Sequence, residues 1–159
     1  MPTRFGNVMR SAEEYSLRVY GLDAVIWWPR LAVIFPEAFR SSLLTARTQM
    51  IAMINLCTVS AIVAVVGGAV LVWDRDSWSA FALTFAVGLL AAKFFYFAAV
   101  TEARGYGQLV RASFDLYRHD LLKNMNLRVP SDLRQEFELW DSLNNWVYRY
   151  QAPWHGTSK

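Results

Sequence analysis

Two long apolar stretches constrain this chain more than any other feature of its sequence. The first covers residues 49–73, the second covers residues 78–101, and only Asp-Arg-Asp-Ser at 74–77 separates them. A helix needs about 20 residues to cross the hydrocarbon core of a bilayer, and each stretch reaches this length. Because the linker has room only for a tight turn, the pattern predicts a two-helix transmembrane hairpin.

The hairpin divides the chain of 159 residues into three segments. Residues 1–47 form an N-terminal arm that we expect to be cytoplasmic or interfacial. Residues 48–101 form the hairpin, and residues 102–159 form a cytoplasmic helical hairpin and tail. The predicted fold class is an all-α membrane protein with an N-terminal interfacial helix. The hydrophobic content of 55% and the charged content of 18% suit this class better than a soluble domain.

The distribution of basic residues predicts the orientation of the hairpin. Lysines and arginines lie in both arms, whereas the linker holds only Arg75 between two aspartates. By the positive-inside rule, both termini are expected in the cytoplasm, with the hairpin in a cytoplasmic (inner) membrane. Trp73 and Trp78 bracket the linker, and Trp27 and Trp28 lie in the arm. All four are candidate interfacial anchors, because tryptophan is enriched at membrane–water interfaces.

The N-terminal arm contains two predicted elements. Residues 11–24 are expected to form a short helix with Ser11 as its N-cap. Residues 24–36 are apolar but too short to span, so they form either an interfacial or re-entrant segment or a core element that packs on the cytoplasmic helices. Pro36 favours the start of a helix, which we expect to run from Glu37 through the first span without a break.

The C-terminal arm is predicted to contain two helices. The first continues from the second span to the Asn-Met-Asn sequence at 124–126, and the next starts at Pro130 and Ser131. Both helices carry apolar stripes at helical spacing, which are expected to face each other. The members of the stripes are Tyr106, Val110, Phe114, Tyr117 and Leu121, then Leu133, Phe137, Trp140, Leu143, Val147 and Tyr150. The acids Glu136, Glu138 and Asp141 are expected on a solvated face.

Small residues recur at four-residue spacing in both spans and predict a packing seam, because they let membrane helices approach closely. The seam residues are Ser60, Ala64 and Gly68 in the first span and Thr84, Gly88 and Ala92 in the second. If the spans pack seam to seam, Asn55, Thr58 and Lys93 point outward. These three residues are candidates for a pore lining or a subunit contact.

Lys93 has two interpretations. A lysine at the centre of a membrane helix costs about 2.5–3.5 kcal/mol, which favours a functional role such as a pore lining. Its long side chain could instead extend toward the headgroups or make a structural hydrogen bond. Arg104, Arg111 and Arg118 follow at seven-residue spacing on nearly the same face. They form either a solvated face or a site for lipid headgroups or a pore vestibule.

The sequence contains no pattern that indicates an enzyme. We find no glycine-rich phosphate loop, no metal-ligand spacing and no nucleophile paired with a base, and the chain has only two histidines and one cysteine. We therefore expect no catalytic residues, no metal, no cofactor and no nucleic-acid partner.

Two functions remain open. In the first, the hairpin self-associates, or joins a membrane-protein partner, as a small pore or effector. In the second, the chain is a non-catalytic accessory or anchoring subunit, and its aromatic-rich arms dock on a larger membrane complex. The layout of the chain is similar to that of small two-span effectors of bacterial defence systems, which pair a hairpin with cytoplasmic helices.

Overall fold

The computed structural model describes residues 3–73 and 78–151, and all regular structure in these ranges is helical. The elements are α1 (Arg4–Tyr20), α2 (Ala24–Val33), α3 (Glu37–Ile62), a π-helical turn (Val63–Gly67), α4 (Gly68–Trp73), α5 (Trp78–Asn124) and α6 (Leu133–Gln151). The linker at 74–77, and with it the predicted tight turn, lies outside the described residues.

Two helices are long and apolar enough to cross a membrane, as the sequence predicts. One is the continuous helix Glu37–Val72 and the other is α5, Trp78–Asn124. α3 starts directly after Pro36, and α5 ends at the predicted Asn-Met-Asn sequence, where Asn126 has a positive φ of 57°. The sequence did not predict the π-helical turn at Val63–Gly67, which adds one residue to a turn of the first apolar helix.

The prediction for the start of α1 is wrong. The helix begins seven residues before Ser11, because the Thr3 hydroxyl accepts a hydrogen bond from the Gly6 N–H at 3.1 Å and so caps the first turn. Ser11 lies within the helix. The helix ends before Gly21, whose φ of +72° is a conformation that glycine adopts readily.

Residues 24–33 form a helix of ten residues, with Asp23 as its N-cap. The Asp23 side chain accepts a hydrogen bond from the Val25 N–H at 2.9 Å, which satisfies one free donor of the first turn. One face of α2 is buried, and its members are Ala24, Ile26, Trp27 and Leu31. Val25 and Val33 of the same helix are exposed, at 79% and 76%.

The chain divides into two compact units. The hairpin unit consists of Met1–Val8 and Ser41–Tyr106, and the bundle unit consists of Met9–Arg40 and Gly107–Lys159. The hairpin unit contains most of both apolar helices. The bundle unit contains α2 and α6, most of α1 and the last part of α5, and most of the buried side chains belong to it.

The buried face of α6 differs from the predicted apolar stripe. The residues that α6 buries are Glu136, Trp140, Asn144 and Val147. Leu133, Phe137 and Tyr150 were predicted to face inward, but they are 65%, 42% and 76% exposed. Glu136 was predicted on a solvated face, but it is 3% exposed. Glu136 and Asn144 lie inward because they accept hydrogen bonds from largely buried donors, Arg118 on α5 and Trp27 on α2. On α5, the predicted inward positions Val110, Phe114 and Leu121 are confirmed as buried.

Candidate functional site: the outer face of the hairpin unit

The two apolar helices approach each other most closely at Gly88. A Cβ atom placed on Gly88 would lie 2.6 Å from the Ala64 Cβ and 2.9 Å from the Ala64 Cα. Gly68 lies against the ring of Phe81, and Gly67 lies near the Thr84 methyl group. Residue numbers rise on one helix as they fall on the other, so the pair is antiparallel. Ala64, Gly68, Thr84 and Gly88 of the predicted seam all lie on this contacting side.

The remaining seam residues are close to the same contact. Ser60 lines an open groove of about 460 Å³ on one side of the helix pair, together with Thr84 and Gly88. The other residues of the groove are apolar: Val59, Val63, Leu83, Val87 and Ala91. Ala92 is half-buried beside it. This groove contains two hydroxyl groups and no charged group.

Asn55, Thr58 and Lys93 are all exposed. The Thr58 hydroxyl donates to the Ile54 carbonyl at 3.0 Å, a bond within its own helix. By helical geometry, Lys93 lies about 140° from Gly88 around α5, and Thr58 lies about 120° from Ala64 around the continuous helix Glu37–Val72. Both rotations lead away from the groove. The structure thus places these polar residues outside the contact between the helices.

Most of the apolar surface of the two helices is uncovered. Only 11% of the most apolar 18-residue window of the first helix is buried, and the value for the second is 17%. Large side chains such as Val65, Leu83, Leu90 and Phe94 are 62–68% exposed. A water-soluble protein buries such helices in its core, because each exposed Val, Leu or Phe forgoes about 1.5–3 kcal/mol relative to full burial. The hairpin unit therefore has an extensive apolar surface that contacts nothing among the described residues.

The four tryptophans predicted as interfacial anchors have different environments. Trp78 is 76% exposed at the start of α5, whereas the side chain of Trp73 lies outside the described residues. Trp27 is fully buried, with its ring 5.3 Å from that of Trp140, and Trp28 is half-buried against Phe114. Trp27 thus occupies the core position that the sequence left open as an alternative, because its indole N–H finds a buried partner there.

The three arginines at seven-residue spacing, Arg104, Arg111 and Arg118, also have different environments. Arg104 is exposed in the hairpin unit. In the bundle unit, Arg111 donates to the Ser11 hydroxyl at 2.8 Å, and its guanidinium lies 5.5 Å from the centre of the Tyr15 ring. Arg118 makes a buried ion pair. Arg111 and Arg118 therefore form intramolecular contacts that seven-residue spacing alone does not reveal.

The buried ion pair joins α5 to α6. Arg118 Nε donates to Glu136 Oε1 at 2.7 Å, and the two side chains are 13% and 4% exposed. Trp140 Nε1 lies 3.4 Å from the same oxygen. His119 Nε2 lies 3.2 Å from it but lacks the direction of a hydrogen bond. The sequence signal for this site is the position of Glu136 four residues before Trp140, on the same face of one helix.

A second polar cluster in the bundle unit centres on Asp115. The Tyr20 hydroxyl donates to Asp115 Oδ1 at 2.8 Å, and the Tyr15 hydroxyl donates to the same oxygen at 3.0 Å. The Arg118 guanidinium lies 4.1 Å from the centre of the Tyr20 ring. Burial of the Tyr20 phenol raises its pKa, and the hydrogen bond to Asp115 raises it further. The cluster keeps the phenol neutral and positions α1 against α5.

Asn144 is the centre of another buried group of hydrogen bonds in the bundle unit. Its Oδ1 accepts from Trp27 Nε1 at 2.7 Å, and its Nδ2 donates to the Gly21 carbonyl at 2.6 Å. The residue is 5% exposed. These bonds satisfy the polar groups at the α1–α2 connection, which would otherwise be buried without partners. In each of the three clusters the central side chain, Glu136, Asp115 or Asn144, has hydrogen-bond partners within the bundle unit, which is typical of structural networks rather than of binding sites.

Among the described residues, no group of histidine, cysteine, aspartate and glutamate side chains could hold a metal ion. The outer face of the hairpin unit thus remains as the candidate functional surface. No protein-family model matches the chain, and the comparisons with curated proteins and with solved structures found no match either.

Proposed function

We propose that the chain is an integral membrane protein and that both apolar helices cross the bilayer. The observation that carries this proposal is the exposure of their apolar surface. Lipid chains would cover that surface, and both helices satisfy their backbone hydrogen bonds internally, as a bilayer requires. In this proposal the termini lie in the cytoplasm, because basic residues are concentrated on the arms.

Membrane integration is tested by extraction of isolated membranes from cells that express the full chain. Alkaline carbonate releases peripheral proteins but leaves integral ones in the pellet. We expect the chain to stay in the pellet and to be released only by detergent. Recovery in the carbonate supernatant would contradict the proposal. Labelling of Pro2→Cys and of Asp76→Cys, each in a Cys57→Ala background, in intact cells and in permeabilised ones, then tests the orientation.

The function that this surface favours is assembly in the membrane, as a small self-associating pore or effector. Two helices in contact along one narrow line cannot enclose a path for ions by themselves. Polar side chains on their outer sides, namely Asn55, Thr58 and Lys93, would then face neighbouring copies or water between them. A homo-oligomer would provide both an enclosed path for ions and a polar environment for these side chains.

The assembly is tested by the mass of the full chain in lipid nanodiscs and by flux from liposomes. We expect a homogeneous oligomer and release of small ions. A stable monomer at all protein-to-lipid ratios would exclude self-association as the mode of action.

A second function, docking on a larger membrane complex as an accessory subunit, is favoured by one feature of α6. Trp146 and Tyr150 form a ring pair with centroids 5.2 Å apart, and they are 56% and 76% exposed. They line an open cavity of about 590 Å³ with Ser142, Asn145 and Arg149. Exposed aromatic and arginine side chains are frequent anchors of protein interfaces.

Docking is tested by affinity purification from native membranes. A partner should be recovered in fixed stoichiometry with the wild-type chain and lost with Trp146→Ala. The matched variant Leu133→Ala changes another exposed apolar residue of α6 and should retain the partner. Recovery of the chain alone would argue against the accessory role.

A further inference from the structure

Lys93 is the sole charged residue in the parts of the two apolar stretches that the structure describes, residues 49–73 and 78–101. Its side chain is exposed and has no hydrogen-bond or ion-pair partner among the described residues. It is surrounded on its helix by exposed Leu90 and Phe97. The ammonium group therefore needs an anion or water from outside the hairpin unit.

A second copy of the described hairpin cannot supply a carboxylate for Lys93. The nearest acid along α5 is Glu102, nine residues away and half-buried, and the described part of the other helix has no acid between Glu37 and Trp73. Copies that met through this face in a dry contact would bring ammonium groups together, which is unfavourable. In a homo-oligomer, a dry contact between copies through the face that carries Lys93 is therefore unfavourable, and water or an anion must reach this face.

The side of the hairpin unit that does not carry Lys93 is suited to contact with lipid or with other helices. The groove formed by Ser60, Thr84, Gly88 and their apolar neighbours has no charge, and it lies on the side of the hairpin away from Lys93. Thr58 lies at the level of Lys93 in the antiparallel register and is also exposed. The side of the hairpin that carries Lys93 thus holds a charged group, and the groove on the other side holds none.

We infer that Lys93 lines the lumen of the assembled pore and makes it selective for small inorganic anions. This inference rests on the proposed function of self-assembly. Rings of lysine or arginine side chains attract anions and repel cations in pores, and each copy of the chain contributes one ammonium group to the ring. Exposed Arg47 and Arg104 lie toward the same end of the hairpin and add positive charge at the mouth.

The test uses the full chain in liposomes of pure phosphatidylcholine with a KCl gradient. For the wild type and for Lys93→Arg, we expect a reversal potential that is displaced from zero toward the equilibrium potential of chloride. Lys93→Gln should shift it toward zero, and Lys93→Glu should invert its sign. Arg128→Gln removes an exposed charge from the bundle unit and should leave the potential unchanged. Each variant must first show the oligomeric mass of the wild type.

A second measurement reports the environment of Lys93 without conductance. In a Cys57→Ala background, Lys93→Cys should react with a water-soluble, membrane-impermeant anionic thiol reagent. Val87→Cys on the groove side should remain unreactive. Lack of reaction at residue 93 would contradict the inference.

The possible failures are distinguishable. Ion flux with the same selectivity in all Lys93 variants overturns this inference but leaves self-assembly intact, and it is the result expected if lipid phosphate binds the ammonium group. A monomeric chain without flux overturns both the inference and the proposed function.

Discussion

Glu136 accepts a hydrogen bond from Arg118 Nε at 2.7 Å, and both side chains are almost completely removed from solvent. This contact joins α6 to α5 within the bundle unit. The carboxylate and the guanidinium satisfy each other in an environment where neither could remain charged alone at low cost. The stability of the bundle unit should therefore depend on the pair being complete.

Glu136→Gln should destabilise the full chain by about 3–5 kcal/mol, because it removes the carboxylate that neutralises the largely buried Arg118 guanidinium. The measurement is the free energy of unfolding in detergent, from a denaturant titration followed by tryptophan fluorescence. The matched control is Glu138→Gln, which removes an exposed partner of Arg134 and should cost less than about 1 kcal/mol. Equal effects of the two changes would show that burial does not distinguish the pairs.

Asn144→Ala should also destabilise the bundle unit. It leaves the Trp27 indole N–H and the Gly21 carbonyl buried without partners, at about 1–3 kcal/mol each. Asn145→Ala is the natural comparison, because that neighbour is exposed and should change the free energy of unfolding by no more than about 0.5 kcal/mol. The same titration measures both, and a stable Asn144→Ala variant would contradict the assigned hydrogen bonds.

Gly88→Ala should weaken the contact between the two apolar helices. The added methyl group would lie 2.6 Å from the Ala64 Cβ, and overpacking of this kind costs about 1–3 kcal/mol. Ala64→Gly in the same chain should recover part of the loss. Gly105→Ala places the same methyl group where nothing lies within 4 Å, so it should be neutral or stabilising by up to about 1 kcal/mol. Thermal unfolding in detergent compares the three variants.

Tyr20 should make the bundle unit sensitive to alkaline pH. Burial raises the pKa of its phenol, so the folded state retains the proton where the unfolded chain, with a pKa of about 10, loses it. This contribution to stability is complete below about pH 10 and is lost as the pH rises from there toward the folded-state pKa. Tyr20→Phe should therefore reduce the fall in melting temperature between pH 9 and pH 11. An unchanged pH profile would show that the phenol is not held neutral.

Much of the helical layout follows from local sequence. Apolar length predicts the two long helices, Pro36 marks the start of α3, and the Asn-Met-Asn sequence marks the end of α5. Small-residue spacing identifies Ala64 and Gly88, because close approach of two helices depends mainly on side-chain size. The predicted start of α1 is wrong, since Ser11 and Thr3 are both acceptable caps and the helix already begins after Thr3.

Which residues are buried in the bundle unit depends on tertiary contacts that the periodicity of the sequence does not predict. Trp27 and Glu136 fit the sequence patterns of an interfacial anchor and a solvated acid, yet both are buried. Each has a partner from a distant part of the chain: Asn144 for the indole and Arg118 for the carboxylate. A polar residue is buried when a suitable partner is buried with it, and that condition belongs to the pair rather than to either position.

The sequence by itself determined that this chain has two helices long and apolar enough to cross a membrane, with one lysine, Lys93, within residues 49–73 and 78–101. Hydropathy and length are sums over neighbouring residues, so they need no knowledge of the fold. Only the tertiary structure decided which polar groups are internal to the bundle unit and which are left outward on the hairpin unit. Pairing in three dimensions removes Arg118, Glu136 and Asn144 from consideration as a functional surface, and it leaves Lys93 exposed.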